Sequence, residues 1–378
     1  MTTLRVVLDR LVASVPGTGR YTEELTRSLI ETAPAGCDVA GIVPAAAAED
    51  YQHLTTLLPG LSGLHKTLLP RRELRLAWQL GLGRPRGKNM VHSPSLLAPL
   101  GRHDRLNNVG DQTVVTVHDV VPWTHPETLT PRMVAWYKAS TRRARKYADA
   151  VVVPTHVVGQ QLAEFLDFGD RIRVIGPAVS SKLTLPVDAD VRAAALALPS
   201  QYLLSVGTLE PRKGIAPLIR SLAQTGSVDL PLLIVGQAGH GDLDVAAIAE
   251  EAGLPPGRVR MLGYLPDADL AVVLDRASVF VFPSLAEGFG LPVIEAFHFG
   301  TPVVHSDDPA VLEVSAGAGV SVPLEDPEGY PERLAAAIAS VLEDDAFACR
   351  LRTTGLDRAK AFSWKDSAEK VWQLHADL

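Results

Sequence analysis

Short apolar runs recur along the chain, and most are followed by a turn-forming stretch and then a segment with helical spacing. The run Ala277-Ser278-Val279-Phe280-Val281-Phe282 is rich in β-branched and aromatic residues and reads as a buried parallel strand. Met1 to Asp9 reads as a first strand and Asp38 to Pro44 as a second. Between them a helix from about Tyr21 to Thr32 lines up Leu25, Leu29 and Ile30 on one face. Met90–Ser93, Thr113–His118 and Ala150–Pro154 continue the strands, a helix begins near Pro131, and Arg173–Ala178 closes this first set. Residues 180–200 are less regular and form the expected junction. The series then restarts with strands at Gln201–Val206, Leu232–Gly236, Val259–Leu262, Val279–Phe282 and Val303–Ser306. Helices fit at Ile215–Gln224, Asp267–Arg276, Leu291–Phe299 and Pro331–Leu342, and a last one follows the capping signal Ser363-x-x-Asp366. The pattern predicts an α/β chain of two doubly wound, Rossmann-like domains, residues 1–178 and 179–362. The ligand cleft is expected between them, at the carboxyl ends of both sheets.

Composition agrees with this division. A chain of 378 residues exceeds one ordinary core, and 47% apolar with 21% charged residues is globular. A net charge of -7 argues against a general nucleic-acid binder. Cys37 and Cys349 match no zinc spacing, which points to a reducing compartment without disulfides. The first strand meets Asp9 too early for a secretory signal, and no apolar run approaches the ~18 residues that span a bilayer. The expected location is the cytoplasm, with any membrane contact peripheral, at the inner surface. Residues 66–88 are the candidate for that contact. Lys66, Arg71, Arg72, Arg75, Arg84, Arg86 and Lys88 stand against Glu73 alone, interleaved with leucines and Trp78. The segment suits an anionic acceptor or an acidic membrane, or is a solvated helix with loops; strong amphipathic periodicity is not evident.

The candidate chemistry gathers at strand ends. After the run at 279–282 comes Pro283-Ser284-Leu285-Ala286-Glu287-Gly288-Phe289-Gly290-Leu291-Pro292-Val293-Ile294-Glu295. Gly288 and Gly290 fall where a strand ends and a helix begins, so free amides and the positive helix end converge on an anion site. Glu287 and Glu295 flank it, which suggests a ligand carrying phosphate and hydroxyls, such as a nucleotide sugar. The loop Val206-Gly207-Thr208-Leu209-Glu210-Pro211-Arg212-Lys213-Gly214 adds two neighbouring cations. Arg212 can fork onto phosphate oxygens and Lys213 supplies a point charge, so the pair suits a diphosphate leaving group. The backbone of Tyr264 and Leu265, after the third strand of this domain, can face a nucleobase, and Asp267 is expected to cap the next helix. In the first domain, Gly17-Thr18-Gly19-Arg20-Tyr21 is a glycine loop between strand and helix, without a complete dinucleotide fingerprint. His118 and Asp119 fall at a strand end, where a histidine can hydrogen-bond a sugar hydroxyl. The spacings Asp188-Ala189-Asp190 and Asp267-Ala268-Asp269 read as junction and helix start, and His118, His125 and His156 lack ligand spacing. No metal is expected.

Pro-Ser-x-x-Glu-Gly-Phe-Gly-Leu-Pro-x-x-Glu-Ala at 283–296 resembles the signature of the family 4 retaining glycosyltransferases of the GT-B fold. Val206 to Gly214 is similar to that family's phosphate loop, and Gly17–Tyr21, Val117-His118-Asp119 and Phe362-Ser363-Trp364 follow its order. The resemblance implies that Arg212 and Lys213 hold the donor diphosphate, with Gly207 and Thr208 in their loop. It implies Glu295 on the ribose, Glu287 on the sugar side, and the amides of Phe289, Gly290 and Leu291 on sugar hydroxyls and phosphate. Gly17 and Gly19 would line the cleft, and His118 would contact the transferred sugar near its 6-hydroxyl. The helix 363–378 would cross back onto the first domain, with a hinge near 178–200 and 360. Family members often carry a second glycine where this chain has Pro16-Gly17-Thr18, which narrows the room left there.

The expected activity is a metal-independent, retaining hexosyl transfer with same-face attack, from a nucleoside-diphosphate sugar to a glycan, lipid-linked sugar or other hydroxyl. GDP-mannose is the first donor, with UDP-linked glucose or N-acetylglucosamine as the alternative; no cofactor is expected beyond the donor substrate. A phosphorylase would need a cofactor lysine motif, which is absent. A mere sugar-nucleotide binder of this fold would be expected to lose Arg212, Lys213 or Glu287.

Overall fold

The computed structural model describes all residues except 1, 13–16, 84–89, 105, 106, 109, 240 and 242. It forms two compact units, one of residues 1–123, 131–177 and 363–378, the other of residues 124–130 and 178–362.

The first unit is built on strands β1 (Thr2–Val7), β2 (Cys37–Val43), β3 (Leu64–Lys66), β4 (Met90–Ser93), β5 (Gln112–Thr116), β6 (Ala150–Val153) and β7 (Ile172–Val174). All pairings are parallel and the order is β3-β2-β1-β4-β5-β6-β7. β5 and β6 are buried along their whole length, as strands covered by helices on both faces must be. The second unit holds β8 (Leu203–Val206), β9 (Leu232–Val235), β10 (Val259–Gly263), β11 (Val279–Phe282), β12 (Val303–Ser306) and β13 (Val320–Val322). Its order, β10-β9-β8-β11-β12-β13, is also wholly parallel. In each sheet the order reverses at one place, between β1 and β4 and between β8 and β11. Loops leaving the carboxyl ends of such strands diverge to opposite faces and open a crevice, where ligands of this architecture bind.

The edge strands β3 and β13, three residues each and half-exposed, carry too little pattern to stand out in the sequence. Helices at Ala48–Leu57, Arg71–Leu80, His156–Phe165, Val245–Glu251, Pro309–Ser315 and Asp345–Ala359 are further additions. Arg71–Leu80 has an amphipathic periodicity that the sequence of the basic segment did not make evident. It is amphipathic, with Leu74 and Trp78 buried four residues apart on one face. Two of its cations serve the fold: Arg71 Nε lies 2.9 Å from Asp9 Oδ2, and the Arg75 guanidinium sits 4.0 Å from the centre of the Trp136 ring. Arg84, Arg86 and Lys88 lie outside the described residues, as do Val15 and Pro16.

The last helix, Trp364–Asp377, belongs to the first unit. Ser363 caps it by accepting from the Asp366 amide at 3.3 Å. Trp372 Nε1 donates to the Leu29 carbonyl at 3.1 Å. Gln112 of β5 donates to the His375 carbonyl at 3.1 Å and accepts from His375 Nδ1 at 2.9 Å. The His375 ring stands 5.6 Å from that of His92 on β4, and both are buried. Burial pushes His92 down to about 3, and burial with the neighbouring His92 holds His375 well below the usual histidine range.

Candidate active site

Two loops leave the switch point of the second sheet. β8 ends at Val206 and the Gly207 amide extends its ladder to the Val235 carbonyl at 2.9 Å. One 3-10 turn, Pro211–Lys213, follows, and Gly214 at φ +67° starts the helix Ile215–Ser221. A Cβ on Gly214 would lie 2.0 Å from the Pro283 carbonyl oxygen, so the two loops meet backbone to backbone. The second loop leaves β11 at Pro283 and ends at Gly290, φ +89°, which opens the helix Leu291–His298 with Pro292 in its first turn.

The start of this second loop is tied at every residue. The Pro283 carbonyl accepts from Tyr330 Oη at 3.3 Å and the Ser284 carbonyl from Ser306 Oγ at the end of β12. The Leu285 amide donates to the Arg212 carbonyl at 2.7 Å, and the Ala286 carbonyl accepts from Arg212 Nη1 at 3.2 Å. The Glu287 amide donates to Asp308 Oδ2 at 3.3 Å. A backbone held this way presents its side chains without reorganisation when a ligand arrives.

Those side chains form a charged cluster. Glu287 Oε1 pairs with Lys213 Nζ and Glu287 Oε2 lies 3.5 Å from Arg212 Nη1, while Arg212 Nε lies 3.0 Å from Glu210 Oε2. All four groups are mostly buried. Burial lowers the Lys213 pKa, against the pull of Glu287, which favours the ammonium form. Burial likewise opposes the charge on Glu287, but Lys213 and Arg212 outweigh it and hold the carboxyl below its usual range. Glu287 is thus favoured as the carboxylate, and its charge pulls Lys213 toward the ammonium form against burial. An ammonium has three N–H donors, and the bond to Glu287 uses one, so Lys213 retains capacity for an anion.

The other sequence-derived positions divide between side-chain and backbone roles. Leu265 and Phe289 are in the core, Phe289 packing edge-on to Phe362 at 5.4 Å, so their side chains serve the fold. Leu291 packs partly on the same core. Tyr264 is exposed, and Glu295 is buried on the helix behind the loop. Thr208 is half-exposed beside Gly207, whose carbonyl would lie 1.8 Å from a Cβ on Gly236. Pro266, not Asp267, is the N-cap of the next helix, and Asp267 opens its first turn. In the first unit Gly17, φ +69°, is the N-cap of the helix Thr18–Glu31, so Gly19 lies within the helix rather than in a loop. His118 Nε2 donates to the Pro94 carbonyl at 2.8 Å and its ring meets Tyr21 edge-on at 4.8 Å. That bond leaves Nδ1 as an acceptor, and burial pushes the imidazole down to about 4, so His118 is neutral near pH 7.

The Asp-x-Asp stretches are structural. Arg192 bridges Asp188 and Asp269, each at 2.8 Å, and Arg276 pairs with Asp190. Among the described residues no three His, Cys, Asp or Glu side chains gather as a metal site.

Residues 15–183 match the model described as Glycosyltransferase Family 4, and residues 188–358 that described as Glycosyl transferases group 1. The chain is 32% identical over 321 residues to O-antigen chain mannosyltransferase B of Escherichia coli, which covers 82% of this chain and 78% of that one. This chain belongs to glycosyltransferase family 4. It is also 28% identical to the serotype-specific mannosyltransferase WbdA of Escherichia coli, over 69% of this chain but 33% of that longer protein. Sucrose-phosphate synthase from Thermosynechococcus elongatus shares the fold, with a TM-score of 0.71 at 22% identity over 100% of this chain and 99% of that one. The two Rossmann-like units of this glycosyltransferase are thus of the GT-B kind.

Two acids of the glycosyltransferase cluster escape a motif-based reading. Glu210 lies inside the phosphate-loop motif but had no role until Arg212 was seen against it. Asp308 follows β12, and Asp307-Asp308-Pro309 signals only a helix start. Its Oδ1 does cap that helix, accepting from the Ala310 and Val311 amides at 3.0 and 3.1 Å.

Proposed function

We propose that this glycosyltransferase moves a mannosyl group from GDP-mannose to a hydroxyl of a glycan or lipid-linked acceptor, retaining anomeric configuration. The observation that carries the reading is the Arg212–Lys213–Glu287 cluster on backbone-tied loops at the sheet's switch point. Fixed cations there stabilise a diphosphate whose charge grows as the anomeric C–O bond breaks. The choice of mannose is supported by the mannosyltransferase that is 32% identical over most of the chain. In this reading the acceptor oxygen bonds to the anomeric carbon on the face the diphosphate leaves, and the acceptor proton passes to the leaving phosphate oxygen. Arg212 and Lys213 bind the diphosphate, beside Gly207 and Thr208. Glu287 and the amides of Gly288 to Leu291 meet the sugar and phosphate, Glu295 the ribose, and the backbone at Tyr264–Leu265 the base. In the first unit taken by itself, the proposed roles are backbone groups at Gly17 and Gly19 and, at His118, an Nδ1 lone pair able to accept from a hydroxyl. No metal takes part, so activity survives a chelator.

The test is a panel of nucleotide sugars scored by thermal stabilisation and slow donor hydrolysis. GDP-mannose should stabilise the protein most, by about 3 kcal/mol at a hundredfold excess over Kd. A larger shift with a UDP-sugar overturns the donor assignment. Inversion of the product's anomeric centre overturns the mechanism.

The same reading includes peripheral contact with an anionic bilayer. Leu68, Leu76, Leu80 and Leu82 are 95%, 57%, 73% and 60% exposed around the helix Arg71–Leu80, beside exposed Lys66 and Arg72. Leucines bury in the acyl boundary while cations meet lipid headgroups. Among the described residues no helix is long and apolar enough to cross a membrane. Vesicles containing phosphatidylglycerol should co-sediment the protein and pure phosphatidylcholine vesicles should not. Equal recovery with both sinks the idea.

A further inference from the structure

We propose that Asp308 is the positioning residue of Glu287, fixing the donor-sugar carboxylate through the Glu287 backbone amide. The inference rests on the reading of Glu287 given above and adds a residue outside the sequence signature.

Asp308 divides its oxygens between two tasks. Oδ1 caps the helix Pro309–Ser315 and Oδ2 takes the Glu287 amide. The cap alone does not call for an acid, because serine, threonine or asparagine cap comparably. An acid here is costly: the residue is 6% exposed, and burial, then the charge of Glu287, push it up to about 6. What a carboxylate adds is a second acceptor, and that acceptor is spent on Glu287.

The surroundings make Asp308 a fixed point. Ser306 Oγ donates to the Ser284 carbonyl, and the Asp307 amide donates to the Val322 carbonyl at 2.9 Å. Asp307 Oδ1 in turn accepts from the Leu324 amide at 2.9 Å. Pro309 then restricts the backbone of Asp308 itself. The end of β12 thus grips both ends of the segment Ser284–Glu287. The Arg212 contacts hold the middle, at Leu285 and Ala286, and leave the Glu287 amide to Asp308. Without that bond the Glu287 backbone can rotate, and its carboxylate leaves the position shared with Lys213 and Arg212.

Asp308→Asn and Asp308→Ser separate the two tasks. Asparagine can cap with its oxygen while its NH2 faces the Glu287 N–H, and serine caps but cannot reach that amide. Both variants should keep a cooperative thermal transition. Hydrogen exchange at the Glu287 amide should speed up by about tenfold or more, and kcat should fall by about the same factor with the acceptor KM unchanged. In a Glu287→Gln background the same changes should lower kcat by less than about twofold, because the residue they position is already disabled. If serine prevents folding, the asparagine variant carries the test. Wild-type exchange at Glu287, wild-type kcat, or an equal loss in both backgrounds overturns the proposal. Full activity of Glu287→Gln by itself instead overturns the reading of the cluster, a failure seen without touching Asp308.

Discussion

Lys213 is held between opposing influences. Burial and Arg212 favour its neutral form, while Glu287 and Glu210 favour the ammonium. Removing the Glu287 charge should lower the Lys213 pKa further. In Glu287→Gln the alkaline limb of kcat/KM is therefore expected at lower pH than in the wild type, read from a pH–rate profile between about 6 and 10. An unmoved limb would show that another group sets it. Lys213→Ala should cost about a hundredfold or more in turnover, the scale of one lost charge-stabilising group, with circular dichroism unchanged. Asp308 marks how far single residues were readable in advance. Arg212, Lys213 and Glu287 stand at strand ends whose apolar runs announce themselves. The partner of Asp308 Oδ2 lies 21 positions away on another strand's loop, and local sequence carries no trace of that pairing.

The loops act as elements because glycine lets them touch. Gly214 combines φ +67° with a carbonyl 2.0 Å from its missing Cβ, and a Cβ on Gly236 would lie 1.8 Å from the Gly207 oxygen. Neither clash involves a flexible side-chain tip, so the backbone must move. Gly214→Ala should cost about 3 kcal/mol or more and loosen both loops, a loss visible as a lower urea midpoint and weaker donor binding. Elements buried on both faces, such as β6 and β11, were legible because all their residues are apolar. The helix Arg71–Leu80 was obscured by its charges: only Leu74 and Trp78 face the core, while Leu76 and Leu80 are exposed and blur the stripe. Helix Trp364–Asp377 was legible from its cap, but its partners on Leu29 and Gln112 belong to the tertiary structure.

At the scale of the molecule the groups that oppose acid are unevenly divided between the two units: the second holds His298 and His305, both lowered by burial, but also Asp308, which acts the other way. His92, His118 and His375 are all in the first unit, and their folded pKa values lie below the unfolded value near 6.5. The unfolded chain binds more protons in that window, so the unit loses stability as pH falls below about 6.5, by roughly 1.4 kcal/mol per pH unit for each histidine. Asp308, in the second unit, has a raised folded pKa of about 6, so its contribution is full below about 4 and is lost as pH rises through 6. Hydrogen exchange at pH 5 against pH 7.5 should show the larger loss of protection at pH 5 in the first unit, with its three such histidines, and a smaller one in the second, where Asp308 offsets part of the effect of His298 and His305. Protection falling equally in both units would refute the assignment of the acid sensitivity to these histidines. The assignment of residues 363–378 to the first unit also sets an order of events during synthesis. The second unit is almost continuous in the chain and can complete itself as soon as it emerges. The first unit, although its strands are made first, leaves Leu29 and Gln112 without their final partners until the last helix is released from the ribosome. The half of the enzyme that is translated first is therefore the half that is finished last, and a released chain truncated at residue 362 would carry a completed second unit and an uncovered first one.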